Sequence, residues 1–98
     1  MATLYIEEYQ EMGQDHKGNA IPGGKVLITN QKFSVSGTSA QSAALNASTR
    51  FVRLVADATI QWKEGENPTA DSNSRYLPSG VVEYFCVTGG NKIAAVTV

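Results

Sequence analysis

The sequence predicts an all-β protein: a single domain over residues 1–98, built as a small antiparallel β-sandwich or barrel of six to eight short strands. Two observations carry this prediction. Short runs of alternating or β-branched apolar residues recur along the chain, separated by stretches rich in Gly, Asn, Ser and Pro. In addition, 98 residues of which 42% are hydrophobic suffice for one core and no more. We therefore expect one folded unit without an internal linker.

The first predicted strand lies near the N-terminus, in TLYIEEY. Leu4 and Ile6 fall on one side of an extended chain, and Tyr5, Glu7 and Tyr9 fall on the other. This alternation predicts a strand with one buried face.

The region that follows is less regular. Residues 10–24 are polar and rich in glycine, so we expect a long irregular loop before two short strands in 25–29 and 31–37. Residues 37–49 combine helix-favouring Ala, Gln and Leu with turn-favouring Ser and Thr. Their apolar side chains are small, which favours extended structure.

The strongest strand signal lies in residues 50–63. Every even position from Val52 to Trp62 is apolar, so this parity should face the core and bury the tryptophan. A single strand of this length would be unusual, so we expect a bend near Asp57.

The C-terminal part predicts a long loop over residues 67–80 and two more strands in 80–87 and 92–98. Gly89-Gly90 or Gly90-Asn91 can supply the positive φ values of a tight turn, so we expect these two strands to form a hairpin.

The charge balance excludes several classes of partner. Eight Lys plus Arg face nine Asp plus Glu, so no net field attracts nucleic acid or an anionic membrane. No apolar run approaches the ~20 residues of a membrane span, and no signal peptide is evident, so we expect synthesis in the cytosol. The single Cys86 excludes an internal disulfide, and we expect it to be a small buried side chain.

Catalytic and metal-binding patterns are weak. His16 is the only histidine, and a small hydrolase centred on it remains a third hypothesis, although no GxSxG motif accompanies it. Residues 71–75 begin like a calcium loop but lack its third ligand, its glycine and its final carboxylate. No phosphate-binding loop or zinc ligand set occurs. We therefore expect no enzyme activity, no catalytic residue, no metal and no cofactor.

Two charges interrupt strongly apolar strands. Arg53 lies within FVRLV and Glu83 within VVEYF, where an unpaired buried charge would be costly. We expect them to pair, within one subunit or across an interface; ordinary exposure at a sheet edge is the alternative.

Three predicted strands are apolar on both parities, in residues 51–56, 81–87 and 93–98. One face of each sheet in a small sandwich should be wet, so this pattern favours cover from another subunit. Cover by loops of a small closed barrel is the alternative.

The order of motifs in the C-terminal part resembles a family of small structural proteins of tailed bacteriophages and prophages, for which no activity is characterised. The resemblance rests on NPTA at 67–70, RYLPSG at 75–80 and VEYF at 82–85, with a looser match at LYIEEY. It implies a non-enzymatic virion protein, made in the host cytoplasm. The implied role is that of a capsid decoration or cement protein, which binds the major capsid protein as a homo-oligomer, possibly a trimer.

Within this interpretation the loop at 67–80 is a contact arm. Pro68 and Pro78 restrict its flexibility, and Arg75 with Tyr76 forms an anchor of the kind enriched at interfaces. A surface crossover without a partner is the alternative. A second function is also open, a carbohydrate- or receptor-binding module of a head fibre or tail that uses Tyr76 and Tyr84.

Overall fold

The computed structural model describes residues 2–14 and 20–98, and the side chains of 2–10 and 27–98. All regular secondary structure in this part of the chain is strand, arranged as two four-stranded antiparallel sheets. The strands are β1 (Ala2–Gln14), β2 (Ala20–Val35), β3 (Ala40–Gln41), β4 (Phe51–Ala56), β5 (Ile60–Gly65), β6 (Arg75–Leu77), β7 (Glu83–Cys86) and β8 (Lys92–Thr97). The predicted all-β sandwich is confirmed, with eight strands.

The two sheets enclose one core. Sheet A has the order β2-β1-β4-β7 and sheet B the order β3-β8-β5-β6. Both sheets contribute fully buried side chains, among them Leu4, Ile6, Val52 and Leu54 from sheet A and Ile60, Trp62, Leu77 and Ile93 from sheet B. The even positions of β4 and β5 face this core, as their alternation predicts.

The corner between β4 and β5 carries the chain from one sheet to the other. The expected bend is present at Asp57, whose carboxylate accepts a hydrogen bond from the Thr3 backbone N–H at 2.7 Å. The Asp57 N–H in turn donates to the Thr3 carbonyl. Two bonds to β1 therefore hold the corner in place.

The first hairpin is longer than the sequence predicts. The expected irregular loop at 10–24 is wrong for 10–14 and 20–24, where β1 and β2 continue as paired strands. Register shifts at Glu8/Tyr9 and Met12/Gln14 absorb the irregular sequence, since a bulge admits an extra residue without ending the pairing. His16, the centre of the hydrolase hypothesis, lies outside the described residues.

Only the base of this hairpin is joined to a third strand. β4 pairs with β1 from Leu4 to Tyr9, whereas β1 and β2 pair on to Gln14 and Ala20. We call the outer part, residues 10–14 and 20–26, the β1–β2 ribbon. Within the described residues it is a two-stranded extension of sheet A.

The predicted hairpin of the last two strands is wrong. β7 pairs with β4 in sheet A, and β8 pairs with β5 and β3 in sheet B. The turn itself is present, because the Asn91 N–H donates to the Thr88 carbonyl at 3.2 Å and Gly90 has a φ of 88°. A glycine turn fixes the local path of the chain, but it does not fix which strands pair.

Candidate assembly surface

The outer face of sheet A presents an ordered lattice of side chains. Directly paired residues share a face of a sheet, so the strand register arranges these side chains in three rows. The rows, read from β2 towards β7, are Lys32, Tyr5 and Val55; Asn30, Glu7, Arg53 and Tyr84; and Leu27, Tyr9, Phe51 and Cys86.

An ion pair forms the polar centre of this face. Arg53 lies opposite Glu7 in the β1–β4 register, and its Nη1 is 3.6 Å from Glu7 Oε1. Both side chains are about one third exposed, at 31% and 34%. The expected pairing of Arg53 with Glu83 within one subunit is therefore wrong. The register places Arg53 opposite Tyr84, while Glu83 is opposite Leu54 and lies on the inner face.

The Tyr9 hydroxyl completes the polar centre by donating a 2.8 Å hydrogen bond to Glu7 Oε1. This bond to a carboxylate raises the pKa of the Tyr9 phenol above its ordinary value, with burial and the negative charge of Glu7 acting in the same direction. Arg53 opposes the shift because a nearby cation favours the phenolate. At neutral pH the hydroxyl is therefore a fixed donor.

An aromatic stack lies beside the ion pair. The rings of Phe51 and Tyr84 are 5.5 Å apart between centroids and nearly parallel, at 9°. Phe51 is only 2% exposed although it lies on the outer face, and Tyr84 is half-buried. Cys86, in the same row as Phe51, is exposed, so the expected burial of this cysteine is wrong. The even residues of β7 belong to the outer face, which explains the difference.

A shallow depression of about 450 Å³ lies on the β2 side of this face. The Tyr5 ring is 43% exposed at this depression, and the Lys32 ammonium lies 5.9 Å from the ring centroid. The side chains that line it are Tyr5, Glu7, Asn30, Lys32, Arg53 and Val55.

The outer face of sheet B is different, because the chain covers part of it with its own loop. Gln41 Nε2 donates to the side-chain oxygen of Asn67 at 2.9 Å and to the carbonyl of Pro68 at 2.8 Å. Gln61 Nε2 donates to the Ser72 carbonyl at 2.8 Å. Ala94, on the outer parity of β8, is consequently 0% exposed. We call residues 66–74 the covering loop.

This arrangement changes the interpretation of the loop at 67–80. Pro68 is buried against sheet B of its own chain, while Pro78 and Tyr76 are exposed, the latter at 58%. The apolar outer parity of residues 93–98 is thus partly covered within the chain. Sheet A carries the remaining argument for cover by another subunit.

Arg75 packs against aromatic rings of its own chain, at the open side of the sandwich between β6 and β7. Its guanidinium carbon is 4.2 Å from the Phe85 centroid and 5.7 Å from the Trp62 centroid. These two rings meet edge to face at 5.0 Å. Arg75 itself remains exposed, so it closes the core on one side and faces solvent on the other.

Glu8 is a structural residue that sequence reasoning missed. Its side chain is 1% exposed, and its carboxylate accepts hydrogen bonds from the Asn46 N–H and the Thr49 hydroxyl, both at 2.8 Å. Gln31 donates a third bond at 3.1 Å. The alternation of Leu4 and Ile6 places Glu8 on the core side, and this signal could have identified it.

Other kinds of site find no support in the described residues. Their side chains include no cluster of His, Cys, Asp and Glu suited to a metal ion. In this part of the chain there is no helix long and apolar enough to cross a membrane. Comparison of the chain with family models, with curated proteins and with solved structures gave no significant match.

Proposed function

We propose that this chain is a non-enzymatic structural protein of a tailed-phage virion, a decoration or cement protein that self-associates and binds the major capsid protein. The motif resemblance supports the virion assignment. The observation that carries the assembly role is the outer face of sheet A, where half-exposed aromatic and apolar side chains surround an ordered ion pair.

The order of this face favours binding. Arg53, Glu7 and Tyr9 hold one another through the ion pair and the hydrogen bond, and Tyr84 is held against Phe51. Side chains that are already fixed lose little conformational entropy when a partner covers them. Aromatic residues and arginine are also the types enriched where proteins meet.

The β1–β2 ribbon supports the same proposal. A two-stranded hairpin is marginally stable in water by itself, and the described residues supply no third strand beyond Tyr9. Contact with a neighbouring molecule would stabilise the ribbon, which would then serve as a contact arm.

Size-exclusion chromatography with light scattering tests self-association. We expect a mass of at least twice that of one chain, and co-sedimentation of the protein with purified shells. Tyr5→Glu, which adds a charge to the outer face of sheet A, should weaken the binding to shells. Ser72→Glu, which adds the same charge to the covering loop, should leave it unchanged. A strictly monomeric protein that never binds shells contradicts the proposal.

The depression around Tyr5 favours a second candidate, the carbohydrate-binding module of a head fibre or tail. An exposed ring beside carboxylate and amide groups provides the stacking surface and hydrogen bonds that a sugar requires. On a glycan array this function predicts binding that Tyr5→Ala abolishes, with Tyr76→Ala testing the other exposed tyrosine. Absence of binding by the unaltered protein rejects it.

A further inference from the structure

β7 is one of the two edge strands of sheet A, and β2 is the other. β7 pairs with β4 on one side and with no other strand among the described residues. Residues 81–87 contain one charge, Glu83, and neither lysine nor proline. The opposite edge strand, β2, contains Pro22, Lys25 and Lys32, residue types that discourage pairing at an edge. The β7 edge has neither residue type; its protection is limited to its length of four residues and to the inward-pointing charge of Glu83.

Exposed apolar side chains adjoin this edge. Val81 is 45% exposed, Val82 is 38% exposed, and Cys86 is exposed on the outer face. Tyr84, which lies between Val82 and Cys86 in the sequence, is half-buried. An extended segment that pairs with β7 would remove these side chains from water while satisfying its free backbone groups.

The inner side of the same edge carries two complementary charges. Glu83 is half-buried and makes no salt bridge among the described side chains. Two residues further along, the Phe85 ring lies under the guanidinium of Arg75. One edge therefore presents an anion and, next to it on the same face, a cation.

We infer that two copies of this chain join edge to edge, with their β7 strands antiparallel about a two-fold axis at Tyr84. This register places Glu83 of each copy directly opposite Phe85 of the other, where paired Cβ atoms are ~4.5–5.5 Å apart. Glu83 then faces the Arg75 that lies over that ring, and the two-fold axis creates this ion pair twice. On the outer face, Val82 of each copy lies opposite Cys86 of the other.

The resulting contact is self-complementary and closed, as a two-fold interface must be. The two copies of sheet A form one eight-stranded sheet, and the outer faces described above become one continuous surface. The inference deepens the proposed function and rests on its self-association; it names the contact that the association uses.

Charge reversal tests this contact. In Glu83→Arg an arginine faces Arg75 of the second copy, and in Arg75→Glu two carboxylates face each other. Each variant alone should raise the dimer dissociation constant at least about tenfold, measured by analytical ultracentrifugation. Mixing the two variants should restore association, because each mixed dimer contains two opposite-charge pairs. Glu66→Arg, an exposed reversal in the β5–β6 connection, is the matched control and should associate normally.

A cross-link tests the register without changing a charge. Val82→Cys places a thiol opposite Cys86 of the second copy, at a Cα separation that suits a disulfide. Mild oxidation should give covalent dimers, whereas Val81→Cys, one residue away and on the other face, should give none beyond the unaltered protein.

The outcomes separate the two proposals. A protein that associates, but whose association neither the reversals nor the mixture affects, and in which Val82→Cys does not cross-link, overturns the β7 contact and leaves the proposed function. A protein that is monomeric at all concentrations and does not bind shells overturns both.

Discussion

The buried carboxylate of Glu8 joins two segments that are distant in sequence. It lies on the core side of β1 and accepts bonds from the backbone of Asn46 and the side chain of Thr49. Three neutral donors compensate for the loss of water around the carboxylate, and no cation among the described side chains takes part. The segment that leads into β4 is therefore positioned by a side chain of β1.

Replacing this carboxylate should be costly. Glu8→Gln turns an acceptor of several bonds into a group whose NH₂ faces other donors, so we expect a loss of roughly 1–3 kcal/mol in the free energy of unfolding. Urea denaturation followed by circular dichroism measures it. The neighbouring Glu7→Gln should cost less than about 1 kcal/mol, because its ion pair is partly solvated. Equal effects of the two changes would contradict the role given to Glu8.

Tyr9 predicts a loss of stability in alkali. Its pKa in the folded protein is raised, first by its hydrogen bond to Glu7, so the folded state retains the phenolic proton at a pH where the unfolded state has lost it. The stabilisation is therefore complete below the unfolded pKa of about 10 and is lost as pH rises through the folded pKa.

Absorbance titration of the phenolate should show this directly. The tyrosine that ionises at the highest pH in the native protein should be missing in Tyr9→Phe. The variant should also lose less stability than the unaltered protein between pH 10 and the folded pKa. Tyr76→Phe, which removes an exposed hydroxyl, is the control. A Tyr9→Phe variant in which a tyrosine still ionises at that highest pH would reject the assignment.

At the scale of the strands, the sequence predicts which segments are extended and which side chains face the core. It predicts less well which strands pair. The alternation from Val52 to Trp62 identifies the buried side of β4 and β5, since period two is a local property. It does not reveal that the bend at Asp57 moves the chain into the other sheet. The same limit explains the last turn, where Gly90 has the expected positive φ but joins strands of different sheets.

The turn before β8 tolerates little change at Gly89. A Cβ at this position would overlap the carbonyl oxygen of Ala47, so the backbone would have to move. We expect Gly89→Ala to destabilise the protein by roughly 1–3 kcal/mol in thermal or urea unfolding. Gly37→Ala is the matched control, because its Cβ would meet nothing within 4 Å and should be neutral or slightly stabilising. Destabilisation by both would point to a general effect of losing glycine.

At the scale of the whole molecule, one core joins both sheets. Trp62, the only tryptophan, is 0% exposed and contacts the Phe85 ring that comes from the opposite sheet. Its environment therefore depends on the packing of the sheets against each other.

The protein should accordingly unfold in one step. Trp62 fluorescence and far-ultraviolet circular dichroism should give coincident transitions in urea, because neither sheet can keep its buried face without the other. Leu4→Ala and Ile93→Ala, one in each sheet, should lower the urea midpoints of both signals together. Each change should reduce the free energy of unfolding by roughly 2–5 kcal/mol. A tryptophan transition that precedes the loss of strand signal would contradict the single core.

The candidate surface was only partly predictable. Arg53 and Glu83 could be singled out as charges within apolar strands, but only Arg53 lies on the outer face of sheet A. Tyr84, predicted as an aromatic binding residue, also lies on this face. Their neighbours could not be predicted, because Glu7 reaches Arg53 through a pairing between strands distant in sequence. Pro68 belongs to the covering loop for a similar reason, since its contact with Gln41 depends on where β3 joins sheet B.

The covering loop also gives the molecule a polarity. Because a loop of the same chain partly covers the outer face of sheet B while the outer face of sheet A is open, the two broad sides of a copy differ. If many copies bind a surface through the open side, they must all have the same orientation. Residues 71–73 then lie on the outward-facing surface that contacts solvent. A foreign peptide inserted at Asn73 would be displayed on that surface in every copy.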